Sequence, residues 1–227
     1  MNEETPKVSS NDLVQRKGIY YKKFTDVPFT GAVEEYFDNG SLHWKEIYKD
    51  GKDDGVWEVY YKNGGLRVKQ TYKDGELDGV EEKYWDNGQL KSKGTYKNDK
   101  EEGLWEEYYE NGRLEEKRTY KDGKLDGVLE WYEKNGQLES KVTYKDGKLD
   151  GVREEYYENG NLLQKGTYKN DKKDDVWEEY REDGKLKSKG TYKDGKKEGV
   201  WEYYWDNGQL SVKETYKDGE IINYEKF

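Results

Sequence analysis

Gly103-Leu-Trp-Glu-Glu-Tyr-Tyr-Glu-Asn-Gly-Arg-Leu-Glu-Glu-Lys-Arg-Thr-Tyr-Lys-Asp-Gly-Lys-Leu-Asp126 decides the fold. Leu104 to Tyr109 reads as an aromatic strand, and Asn111-Gly112 as a tight turn, because both residues tolerate positive φ. A second strand, Leu114 to Tyr120, leads into a Lys-Asp-Gly-Lys-x-Asp loop with the same turn chemistry. The stretch is therefore one β-hairpin with its outgoing loop. Outward from it, the same 24-residue unit recurs eight times from Gly31 without insertion or deletion. With Gly31 as position 1, position 6 is always Tyr (Tyr36 to Tyr204), position 10 Gly, position 12 Leu and position 18 Tyr. Position 1 is Gly except at Asp175. A strict period of this kind marks a repeat array, in which neighbouring units supply each other's core.

The predicted fold is all-β: an elongated, single-layer antiparallel β-meander, a twisted ribbon of tandem hairpin repeats. Residues 1–11 carry no periodic pattern and are expected to be disordered. Residues 12–30 are expected to form an N-terminal cap, with Gly18 to Lys23 as the strand preceding the array. Repeats then fill 31–222, and residues 223–227 end a closing strand that begins at Ile221. Asp175 should mark a local irregularity.

Register decides which side chains share a face. A three-residue loop with a Gly bulge sets Tyr at position 6 opposite Leu at position 12, and is expected to group both with Val at 2 and Tyr at 18 on one face. The second face would then carry position 3 (Trp57, Trp105, Trp177, Trp201), position 7 (Tyr61, Trp85, Tyr109, Trp205 among others), Lys at 15 and mostly Thr at 17. A two-residue loop would instead oppose Glu at 4 and Lys at 15, columns uniform through all eight repeats. The apolar pairing is favoured because burial outweighs an exposed ion pair worth ~0.2–1 kcal/mol.

Composition limits the function. Only 31% of the 227 residues are hydrophobic and 41% are charged, yet 23 Tyr and 8 Trp at fixed offsets separate the chain from disordered acidic sequences. A formal charge of −10 makes nucleic acid and anionic membrane poor partners and suits a basic protein. Cysteine is absent, which excludes disulfides and thiolate chemistry. No apolar run reaches the length of a membrane span. The compartment stays open between cytoplasm, as the sequence is written, and cell envelope, if an export signal preceded Met1.

The pattern Gly-x-Trp-Glu-x-Tyr-Tyr-x-Asn-Gly-x-Leu followed by Lys-x-Thr-Tyr-Lys-Asp-Gly-Lys-x-Asp-Gly resembles the bacterial variant of the MORN repeat found in YwqK-type antitoxin proteins. The resemblance covers residues 31–222, and the leading stretch Asp12 to Tyr21 with Pro28-Phe29-Thr30-Gly31 is similar to the start of many such proteins. It implies a single-layer β-sheet used for protein contacts, with a toxin as one kind of partner. Departures are Asp175, then Asp99 and Asp171 at the usual loop Gly, and Glu81 and Arg153 at the usual Trp.

Candidate contact residues are Trp57, Trp105, Trp177 and Trp201, with Tyr61, Trp85, Tyr109 and Trp205 beside them. The opposing reading makes these rings cross-strand packing. Stacked sugars are the alternative ligand, which would make the chain a glycan or cell-wall binding module. A structural or self-associating envelope protein is the third reading, with the oligomeric state open. The Asp-Gly-Lys-x-Asp loops interpose Lys among the oxygens a calcium site needs. His43 is the only histidine and has no neighbouring ligand residue. No catalytic set, metal site or cofactor motif is present, and a non-enzymatic protein-binding scaffold is the expected function.

Overall fold

The computed structural model describes residues 7–227, all strand and turn apart from the single 3-10 turn Ser10–Asp12. It divides into two compact units, Met1–Gly112 and Arg113–Phe227.

In the first unit, strand β1 (Lys7–Val8) runs parallel to β4 (Gly31–Tyr36), which pairs antiparallel with β5 (Leu42–Lys49). Hairpins then follow in sequence order to the strand Lys100–Tyr108. In the second unit the antiparallel meander runs from Leu114–Lys121 to the closing strand Glu220–Lys226. Each unit is thus a meander of repeated hairpins, as the turn signals require.

The hairpin loop has the expected three-residue form. Phe37 N–H donates to Ser41 O (2.9 Å), Gly40 N–H to Phe37 O (2.8 Å), and Gly40 adopts φ +83°. Tyr36 lies opposite Leu42, as predicted. One step further the register shifts through a β-bulge, so Glu35 meets Trp44 and Glu34 meets Lys45. The same shift occurs at the Tyr of position 6 in every hairpin contained in one unit. Both candidate pairings are therefore realised, the apolar one beside the loop and the Glu–Lys one beyond it.

The bulge also overturns the expected faces. It adds one residue to the second strand, which inverts the side chains beyond it. Val at position 2 now shares a face with Glu 4, Lys 15 and Thr 17, while Trp at position 3 faces the same way as Tyr 18.

Between repeats, Asp50 (φ +50°) and Gly51 (φ +76°) close a turn with two left-handed residues. Asp99 and Asp171 hold the Gly position at φ +60° and +66°. Their carboxylates compensate. Asp99 Oδ1 accepts from Leu77 N–H and Asp171 Oδ1 from Leu149 N–H, both at 2.8 Å. Asp175 sits at φ +63° within the continuous strand Lys172–Tyr180, so the expected irregularity is confined to its own dihedral. Gly103 and Gly199 reach φ +71° and +70° at the same repeat position without a side chain to strain. Asp175→Gly is expected to stabilise the second unit by about 0.5–1 kcal/mol, read as a rise in urea midpoint with unchanged slope.

The N-terminal cap is built differently from the expected single strand. Lys17 and Gly18 (φ +51° and +80°) close a tight hairpin between β2 (Leu13–Arg16) and β3 (Ile19–Lys22), a sheet of its own. It lies over β4 and β5, where Phe29, Val33 and Tyr48 are buried and contacted by Val8, Leu13, Tyr20 and Trp44. Tyr20 N–H donates to Gly51 O (2.8 Å) and Gly51 N–H to Phe29 O (2.7 Å). A Cβ on Gly51 would fall 2.4 Å from Ile19 Cγ2, so glycine is required for this contact. Of the segment expected to be disordered, residues 1–6 lie outside the described residues. The remainder departs from that expectation: β1 pairs with β4, and Ser9 caps the 3-10 turn while donating its hydroxyl to Glu35 Oε1 (2.8 Å).

Candidate functional site

The candidate tryptophans lie on the closed face of each sheet. Trp105, Trp177 and Trp201 are 4%, 4% and 5% exposed. Each covers the Gly at position 16 of the preceding repeat: a Cβ on Gly94, Gly166 or Gly190 would come within 2.0–2.2 Å of the ring. Tyrosines of position 18 close the ring edges, with Tyr168 and Tyr192 at 5.3 and 5.9 Å from Trp177 and Tyr192 at 5.1 Å from Trp201. The indole N–H of Trp177 donates to Thr167 O and that of Trp201 to Thr191 O, both at 3.1 Å. Lys173 and Lys197 place their ammonium groups 3.8 and 4.2 Å from the Trp177 and Trp201 ring centres. These rings have no free face to offer a partner. Trp57, which follows Glu46 where the other three follow glycine, is half-buried.

Position 7 does something else. Tyr61 OH donates to Tyr84 O (2.7 Å), Trp85 Nε1 to Tyr108 O (3.1 Å) and Tyr157 OH to Tyr180 O (2.9 Å). Each ties a hairpin to the next near its loop end. Asn63, Asn87 and Asn159 add parallel links from Nδ2 to the carbonyls of Asp86, Glu110 and Glu182. Tyr109 is half-buried, while Trp205, in the final hairpin, is 50% exposed. Positions 3 and 7 therefore form no common aromatic stripe, and of the eight candidates Trp205 alone is exposed.

The open face carries what the strand pattern alone did not indicate. Val128, Val152, Val176 and Val200 are 40%, 46%, 50% and 52% exposed, and Val80 and Leu104 of the first unit 41% and 46%. In the second unit each valine stands opposite a threonine: Thr143, Thr167, Thr191 and Thr215. The result is an alternating Val/Thr row across eight strands.

Beside this row, Lys141, Lys165 and Lys189 reach Glu154, Glu178 and Glu202 at 3.0, 2.9 and 3.2 Å. The Tyr of position 6 donates its hydroxyl to the Glu of position 4 in all eight repeats, at 2.6–3.0 Å. The Tyr204 hydroxyl, followed by Lys213 and Lys189, holds the Glu202 carboxyl down at about 2 against the effect of burial. Burial and the Glu130 carboxylate push Tyr132 up to about 12. The carboxylates are committed to the sheet. His43 stacks on Phe37 at 4.2 Å, and no group of acidic or histidine side chains among the described residues could hold a metal. No helix among them is long and apolar enough to cross a membrane.

The repeat can now be placed. The family model described as MORN repeat variant matches residues 53–74, 77–98, 101–122, 125–146, 149–170, 176–194 and 197–218, more than half of the chain. The chain belongs to the MORN repeat variant family. Each match holds the loop of one hairpin with strand on both sides, and the hairpin at 31–52, with Ala32 and Ile47 in place of the usual Val and Thr, falls outside the match. No curated protein matches the chain. Among solved structures, that of TcdB2-TccC3 is 12% identical with a TM-score of 0.23, covering 86% of this chain and 13% of that one. The TcdB2-TccC3-Cdc42 structure is 14% identical with a TM-score of 0.21, covering 83% and 14%. The MORN array thus spans about an eighth of the length of these chains.

Proposed function

We propose that the chain is a non-enzymatic protein-binding scaffold, of the antitoxin or immunity kind, whose contact surface is the Val/Thr row. The observation that carries this reading is the row itself: valines 40–52% exposed at identical positions of successive repeats. An apolar row held open on a sheet whose tryptophans Trp105, Trp177 and Trp201 are turned inward suits burial under another protein. The charge of −10 favours a basic partner, a toxin among them, through faster encounter. For the glycan alternative, Trp105, Trp177 and Trp201 offer no free ring face for a sugar to stack on, and Trp205 is the exposed ring that remains.

The test is affinity capture from cytoplasmic and envelope fractions of the source cells, with Val152→Lys/Val176→Lys/Val200→Lys as comparison. All three sites are exposed, so the variant should fold, as circular dichroism would check. One stoichiometric protein retained by wild type and lost by the variant is expected, and the fraction that yields it gives the compartment. Equal retention by both overturns the choice of face, and no protein from any fraction overturns the scaffold reading.

A further inference from the structure

The closed face of the first unit holds a carboxyl pair that neither the repeat pattern nor the scaffold reading uses. Glu46 on β5 and Asp53 lie next to Tyr48, which stands opposite Asp53 in the turn ladder and donates its hydroxyl to Glu46 Oε2 at 2.6 Å. Asp53 Oδ1 is buried without a hydrogen-bond partner, and neither carboxyl forms an ion pair among the described residues. Two carboxylates in one desolvated site cannot both ionise cheaply, which favours the protonated form of Glu46. Burial first, then Asp53, raises Glu46 to about 7 against the opposing hydrogen bond from Tyr48.

Every element around the pair adds negative charge or none. Tyr20 on β3 packs edge-on against Tyr48 at 4.9 Å. From the following hairpins come Tyr72, Gln70, Glu81 and Asp99, the last two close enough to act on Tyr72 together with Glu46 and Asp53. The cation on this side is Lys83, already engaged with Glu81 at 2.7 Å. Among the described residues no cation pairs with Glu46 or Asp53 to neutralise a second charge there.

The N-terminal hairpin docks on the same few residues. Tyr20 contacts Tyr48, and the bonds from Tyr20 N–H to Gly51 O and from Gly51 N–H to Phe29 O seat it on the turn between Tyr48 and Asp53. We propose that Glu46, set against Asp53, is a pH-sensitive latch: its protonated form holds hairpin β2–β3 down, and loss of the proton releases it. An acid held with a raised pKa stabilises the folded form fully below its ordinary value near 4.5 and loses that contribution as pH rises toward 7. The released face would expose Phe29, Val33 and Tyr48.

The test is amide hydrogen exchange by NMR at pH 5.5 and 8.5, read as protection factors corrected for the intrinsic rate. The Tyr20 and Gly51 amides of the full chain are expected to lose at least tenfold protection at the higher pH, while amides of the strand Leu210–Lys217 in the second unit do not change. Glu46→Gln, which keeps an acceptor for Tyr48 and can donate to Asp53 at any pH, should abolish the difference. Should that variant fail to fold, Asp53→Asn removes the other half of the pair with the same expected result. A pH response equal in wild type and variant, or no response in wild type, overturns the latch.

Discussion

Gly190→Val is expected to destabilise the second unit by about 3 kcal/mol or more, at the upper end of overpacking costs, lowering both its melting temperature and its urea midpoint. A Cβ at that position would lie 2.2 Å from the Trp201 ring, a side chain 5% exposed and hydrogen-bonded to Thr191 O. The ring cannot swing aside without breaking that bond and leaving Lys197 and Tyr192. The chain itself indicates the compensation. Val142 occupies position 16 where the following position 3 is Arg153, a flexible side chain that reaches outward to Glu155. Gly190→Val combined with Trp201→Arg should therefore recover part of the loss. If the double variant is less stable than Gly190→Val by the full cost of removing Trp201, the two positions are not coupled and the packing account fails.

Trp177→Ala is expected to cost about 3–5 kcal/mol, the range for a buried aromatic truncated to alanine. The residue is 4% exposed, and its loss would strip edge contacts from Tyr168 and Tyr192 and the ring face from Lys173. Trp205→Ala should change stability by less than about 0.5 kcal/mol, because that side chain is 50% exposed in the final hairpin. Chemical denaturation monitored at the second unit separates the two. Similar small effects for both would mean that the Trp of position 3 is not packed as described.

Much of the fold was legible because it depends on local chemistry. Asn-Gly and Asp-Gly turns at fixed offsets determine the hairpins, and the uniform columns of Tyr 6 and Leu 12 predict the pairing beside each loop correctly. The two faces were not legible from alternation, because alternation counts every residue and a bulge removes one from the count. A signal was nonetheless present. Gly94, Gly166 and Gly190 each lie 11 residues before the tryptophans Trp105, Trp177 and Trp201, which is how a small residue beneath a large one in a neighbouring strand would look. The joint uniformity of Tyr 6 with Leu 12 and of Glu 4 with Lys 15 was a second one, since both pairs can form together only if one strand carries an extra residue. Lys17-Gly18 likewise encoded the N-terminal hairpin in two residues, within a stretch that otherwise reads as one strand. The valine row needed the correct parity before its exposure could be recognised. The Glu46–Asp53 pair lies in two variable columns, and the acids that recur there, Glu214 in the first and Glu101 in the second, fall in different repeats, so no period pointed to a pair.

The bulge that exchanges the two faces also explains why the array carries no insertion or deletion. Adding or losing one residue in a strand would turn its tryptophan to solvent and its valine inward, while the loop-end bonds, such as Asn159 to Glu182 O, would lose alignment with the next hairpin. Excising a whole unit is different: removing 151–174 would bring Asp150 up to Asp175, the same Asp-Asp joint that Asp174 makes with Asp175 now. Length in this protein is consequently quantised. Its evolution can proceed by recombination between identical phases of the repeat, changing reach in whole copies while every surviving contact keeps its geometry.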